Sequence, residues 1–198
     1  ARPEIDAWQG LCEPYVNGLD EARRVARFEK AFSDRIQDLG KKSVVLNLAV
    51  GNPGDVQTML LPEIVDLLKT ADYAGYHAYG GNKDQILEGP QNPWFANRWR
   101  LYAQLYRDRG LRMPPVLYTE VNTFNQWKAG YTPPGVSPLT AAQVRDDLIA
   151  FERDSRRDPW AVGMAIFAFG SSSAQFTGRE TANEPVIYEG AGDHNWAN

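Results

Sequence analysis

Five short apolar runs alternate along this chain with four longer runs whose apolar residues recur at helical spacing. The short runs cover residues 5–11, 43–50, 72–79, 115–120 and 160–169 and read as buried strands. The longer ones cover 19–39, 59–71, 94–109 and 140–156 and read as helices. In the first of these, Ala22, Val25, Ala26, Phe28, Phe32, Ile36 and Leu39 supply the periodicity and Gly40 the stop. Pro62 falls in the first turn of the second, where a missing N–H is tolerated. The fourth opens on Thr140-Ala141-Ala142-Gln143, which has the form of a capping box.

Apolar strands that reach one another only through helices run parallel, with right-handed crossovers. The spacing therefore predicts an α/β chain with a parallel sheet, either open and doubly wound or curled into a (β/α)8 barrel of the TIM type. A doubly wound nucleotide fold needs a glycine-rich turn after its first strand. Here that turn is Cys12-Glu13-Pro14-Tyr15, which cannot cradle a pyrophosphate, and no phosphate-loop pattern occurs elsewhere. An open order would nonetheless revive that reading, so strand order is the deciding observation.

Polar residues are placed in a pattern on this frame. Successive strands close on Glu13, Asn52, His77 with Tyr79, Glu120, and the Phe169-Gly170 corner. In a barrel these ends converge on one face, where side chains from several strands build one site. A carboxylate at the end of an apolar strand is costly unless it is hydrogen-bonded or useful. Each position also has a plainer use. Glu120 can satisfy loop backbone, Glu13 can be a helix-start or loop acid next to proline, His77 and Tyr79 can be satisfied core groups, and Asn52 sits in Gly51-Asn52-Pro53-Gly54, strong turn chemistry.

Composition removes several other functions. The net charge is −4 and there is no Lys/Arg run, which argues against a nucleic-acid surface. No apolar stretch reaches the roughly 18 residues of a membrane span. The one cysteine, Cys12, has no internal disulfide partner, and His77 and His194 stand far apart. The spacing thus points to no metal centre and no cofactor. A secreted or periplasmic setting is expected over a cytoplasmic one, although a single cysteine neither requires nor forbids it.

The ordered set of motifs resembles the second half of a clan A glycoside hydrolase barrel. Leu11-Cys12-Glu13-Pro14-Tyr15-Val16-Asn17, then Val50-Gly51-Asn52-Pro53, then His77-Ala78-Tyr79 and Thr119-Glu120 match a bacterial branch of that clan, over residues 5–178. Residues 179–198 read as a tail. The resemblance implies that Glu13, in its Glu-Pro context, is the acid/base ending barrel strand four. It implies that Glu120 is the nucleophile ending strand seven. It further implies a retaining double displacement on an oligosaccharide or polysaccharide, with Glu13 protonated before attack and His77 or Tyr79 holding Glu120 ionised. Trp127, Tyr131 and Trp94 become candidate platforms for sugar rings, Cys12 and Asn52 candidate substrate neighbours.

Two departures qualify the likeness. Cys12 stands where the clan usually has an Asn that hydrogen-bonds the sugar 2-hydroxyl, and a thiol is a weak donor. Five strands also cannot close an eight-stranded barrel. The chain is expected to self-associate, or to take the N-terminal half of the barrel from elsewhere. The alternative reading is a catalytically inactive carbohydrate-binding or structural barrel fragment.

Overall fold

The helical stripe of the first long run shows how the sequence docks its helices. In the computed structural model, which describes residues 4–80, 83–88, 93–123 and 141–166, helix α1 spans Leu19–Asp38. It buries Ala22, Ala26, Glu29, Ser33 and Ile36, spaced three and four apart. Two of those five are polar, and the stripe is rotated from the one expected: Phe28 and Leu39 are exposed. Gly40 ends the helix in the left-handed region (φ 68°), where a side chain is disfavoured.

The strands are β1 Ala7–Gln9, β2 Lys42–Leu48, β3 Tyr73–Gly80, β4 Val116–Thr123 and β5 Ala161–Ile166. They form one sheet in the order β1-β2-β3-β4-β5, every neighbouring pair parallel. Sequential order is that of a barrel wall and excludes the open doubly wound arrangement. Helices cross between the strands: α1, α2 (Pro62–Thr70), a short α3 (Lys83–Ile86), α4 (Trp99–Arg107) and α5 (Ala141–Ser155). Together they form five strands of an incomplete (β/α)8 barrel.

The main core lies between the sheet's outer face and the helices. Val45, Leu46 and Leu48 of β2 and Tyr76 of β3 meet Leu67 and Leu68 of α2 and Trp99 and Tyr102 of α4 there. Tyr118 of β4 packs edge-on against Phe151 of α5, with ring centroids 5.3 Å apart. Below the sheet Asp72 accepts from Gln37, the Ser43 N–H and Lys42, tying α1, β2 and β3 at the end opposite the candidate site.

Three expectations need correction. The outer strands are not buried: Trp8 of β1 is 39% exposed, and no residue of β5 is buried. Among the described residues each has a sheet neighbour on one side only. The second helix begins at Pro62, because Met59 belongs to a preceding 3-10 turn, Val56–Leu60. The next begins at Trp99 and not at Trp94. Arg98, buried at its foot, donates to the carbonyls of Pro53 and Gly54 and lies over the Trp94 ring at 4.5 Å. Those contacts hold residues 94–98 out of the helix and against the loop after β2.

Candidate active site

Glu13 is set in place by its backbone. After β1 the chain continues beside β2, with Cys12 bridged to Asn47 and the Glu13 N–H donating to the Asn47 carbonyl at 3.0 Å. At Glu13 the main chain turns through the left-handed region (φ 49°), a conformation that costs a non-glycine residue energy and recurs at functional positions. Asn52 then fastens the next three residues, Pro14 to Val16. Its amide donates to the Pro14 carbonyl at 2.7 Å and its oxygen accepts from the Val16 N–H at 3.4 Å. Both ends of the Asn52 carboxamide are thus engaged with protein backbone, which is the work of a loop clamp.

Asn47 lies beneath this loop. It is buried, donates to the Leu11 carbonyl, and accepts from the Thr119 hydroxyl at 3.0 Å. One side chain of β2 so links the β1 loop to β4. Gly75 of β3 lies against it, and a Cβ there would overlap the Asn47 side chain. The motifs of the sequence do not point to Asn47; a polar residue inside the apolar run 43–50 is the one signal that does.

A bulge aims Glu120. Tyr76 pairs with Tyr118, but the next residue of β3, His77, pairs with Glu120, so β4 carries one extra residue at Thr119. Tyr118 faces the helices while Thr119 and Glu120 both reach groups of the opposite, concave face. Glu120 does not end its strand as expected, since β4 continues to Thr123.

His77 joins the two carboxylates. Its side chain is fully buried, and Nδ1 lies 2.8 Å from Glu13 Oε1 and 3.5 Å from Glu120 Oε2. With a carboxylate on each side the proton belongs on Nδ1, which donates to Glu13 and faces Glu120 at the longer distance; Nε2 is buried without a partner among the described residues. Tyr79, two residues on and so on the same face of β3, donates its hydroxyl to Glu120 Oε2. Burial first, then that bond and the nearby carboxylates, hold the Tyr79 phenol far above its ordinary range, so it stays a donor.

The charges are not distributed as expected. The hydrogen bond from His77 draws the Glu13 carboxyl below its ordinary range, against the opposing effect of burial. In this resting arrangement Glu13 favours the ionised form. The Cys12 thiol is pushed up, by burial and then by Glu120 and Glu13. Donor atoms of Cys12, His77 and Glu120 all lie within 4.8 Å of one another, a cluster that linear spacing does not reveal.

Of the sequence-predicted site residues, Cys12, Glu13, His77, Tyr79 and Glu120 are thus brought together. Asn52 supports them from behind. Trp94 is 46% exposed, lying against Gly51 and Arg98 at the rim. Trp127 and Tyr131 lie outside the described residues, as do the Phe169-Gly170 corner and the tail. No described helix is long and apolar enough to cross a membrane.

No protein-family model matches the sequence, and none of the curated proteins does. Solved structures do match in fold. An endo-β-1,3-glucanase of family GH128, subgroup I, from Amycolatopsis mediterranei, in complex with laminaritriose, superposes with a TM-score of 0.54 at 17% identity, over 94% of this chain and 72% of that one. A subgroup V exo-β-1,3-glucanase from Cryptococcus neoformans gives 0.51 at 18%, over 87% and 60%. An endo-β-1,4-mannanase from Thermotoga petrophila gives 0.51 at 13%, over 95% and 43%. The chain therefore shares the barrel fold of glycoside hydrolases, as its motifs imply.

Proposed function

We propose that the chain carries the catalytic half of a retaining glycoside hydrolase, with Glu120 as nucleophile and Glu13 as acid/base. The observation that carries this reading is the single His77 Nδ1 in contact with both carboxylates. The two carboxylate oxygens are no farther apart than the sum of 2.8 and 3.5 Å. That is compatible with the closer class of carboxylate pair, at about 5–5.5 Å.

In the first step Glu120, ionised and aimed by Tyr79, attacks the anomeric carbon. Glu13 gives its proton to the departing oxygen, and a glycosyl ester forms on Glu120. In the second, Glu13 takes a proton from water, whose oxygen displaces Glu120 with a second inversion. The resting pairing of His77 with Glu13 suits the second step, when Glu13 acts as a base and Glu120 is esterified. For the first step Glu13 must be protonated. A bound sugar that excludes water and leaves Glu120 as the retained anion favours that state.

The fold neighbours named for β-1,3-glucanase activity make β-1,3-glucan oligosaccharides the first substrate to test, with β-1,4-mannan second. Glu120→Ala is expected to abolish turnover, and azide to restore part of it with an inverted glycosyl azide product. Full activity in that variant would end the proposal. A second reading has two observations of its own, Cys12 in place of the usual Asn and a resting Glu13 that favours ionisation. It is a barrel that binds glycans without cleaving them, and it predicts saturable binding with no product at any pH.

A further inference from the structure

Three elements deliver a mixed set of metal ligands to one point. Cys12 comes from the loop after β1, His77 from β3 and Glu120 from β4, and their donor atoms lie within 4.8 Å of one another. Thiolate, imidazole and carboxylate together suit zinc and its neighbours; calcium and magnesium take oxygen ligands alone. The buried His77 presents Nδ1 to the cluster, and Cys12 is exposed, which leaves an entry path. Two carboxylates, Glu13 and Glu120, stand 2.8 and 3.5 Å from His77 Nδ1. The pocket is therefore electronegative before any ion arrives, and three ligands leave a fourth position open.

We propose that Cys12, His77 and Glu120 bind a divalent cation of the Zn²⁺ kind, and that the ion and a glycan exclude one another at this site. On binding, the thiol releases its proton to solvent. The imidazole moves its own from Nδ1 to Nε2, freeing the Nδ1 lone pair for the metal. Nε2 has no acceptor among the described residues. Zinc-bound histidines usually give that second N–H to a partner. Its burial here lowers affinity below that of a structural zinc centre, so the ion exchanges. Ligation also takes the Glu120 carboxylate and its histidine out of the reaction. Ion binding stands independently of the hydrolase reading; loss of turnover on binding rests on Glu120 being the nucleophile.

The test uses the full chain, freed of metal and titrated with Co²⁺ alone. The expected result is a near-ultraviolet thiolate-to-cobalt absorption band that saturates, is displaced by Zn²⁺ and is reversed by a chelator. Affinity, read by isothermal titration calorimetry with Co²⁺, should fall at least about tenfold in Cys12→Ser and in His77→Ala, since each loses one ligand. Circular dichroism checks that the variants fold. Should His77→Ala not fold, Cys12→Ser, at an exposed position, decides. No band, or an unchanged calorimetric affinity in Cys12→Ser, overturns the site. Hydrolysis assayed in parallel separates the two ideas. A band with undiminished turnover keeps the ion site and overturns the exclusion. A band on a chain that shows no turnover in metal-free buffer supports the ion site and counts against the hydrolase reading alone.

Discussion

His77 has one N–H to give and two carboxylates placed to receive it, while Tyr79 donates its hydroxyl to Glu120. The two donors are therefore not redundant. Tyr79→Phe removes the hydrogen bond that aims Glu120 but leaves the ring in place. A hydrogen bond to a charged group contributes about 1.5–3 kcal/mol, so kcat should fall roughly 10–100-fold with KM little changed. An equal loss confined to KM would remove Tyr79 from the chemical step. A second residue-scale expectation concerns Glu29, which the apolar pattern of its helix does not select. Its buried carboxylate accepts the Leu11 N–H at 2.8 Å, two residues before Glu13. Burial raises it from 4.5 to about 7, against the opposing effect of that N–H. A raised carboxyl means that the folded chain holds its proton to higher pH than the unfolded chain does. The destabilisation is absent below 4.5, grows as pH rises, and is complete above about 7. Glu29→Gln keeps an acceptor for Leu11 and does not titrate. Its stability relative to wild type should rise by on the order of 2 kcal/mol between about pH 4 and about pH 8, read from urea unfolding. A pH-independent difference would refute the assignment.

Among the elements, strand periodicity and order are legible in the sequence, but the bulges that orient the site are not. Apolar runs separated by helical runs specify a parallel sheet wherever they occur, and barrel order follows from motifs at the strand ends. The extra residue at Thr119 leaves no mark in the apolar pattern, because Thr119 and Glu120 are both tolerated on a polar lumen. Burial on the outer strands is overestimated for a related reason. An apolar run records what a residue is suited to meet, and not whether a neighbour is there to meet it. Contacts between distant residues are equally hidden. Asn47, Gly75 and Thr119 are joined only once β2, β3 and β4 lie side by side. That contact gives an element-scale prediction. Gly75→Ala places a methyl group against Asn47 and should cost about 1–3 kcal/mol. Trimming the obstacle should relieve it, so the same change in an Asn47→Ala background should cost less by about 1 kcal/mol or more. Strict additivity in the double-mutant cycle would show that the methyl group strains something else.

At the scale of the molecule, the described sheet has two open sides. Trp8 pairs with Ser43, whose hydroxyl meets Ser33 of α1, so Trp8 lies on the helix-facing side of the sheet. A tryptophan there would normally be covered, yet it is 39% exposed, with Leu11 just beyond at 37%. On the opposite edge Val162 of β5 is 37% exposed. An open parallel sheet presents unpaired backbone N–H and C=O groups along both edges as well as this apolar surface, and such edges recruit strands. We propose that the chain closes its wall with another copy of itself or with a partner that supplies the remaining strands. The purified chain should then scatter light as a species larger than one chain, with a mass that rises with concentration. Trp8→Lys sets a charge where that cover would seat and should shift the distribution toward the monomer without altering the far-ultraviolet circular dichroism. A clean monomer at all concentrations would mean that the exposed β1 edge is stable in water as it stands. In that case Glu13, two residues past Leu11, works from a rim that needs no second wall.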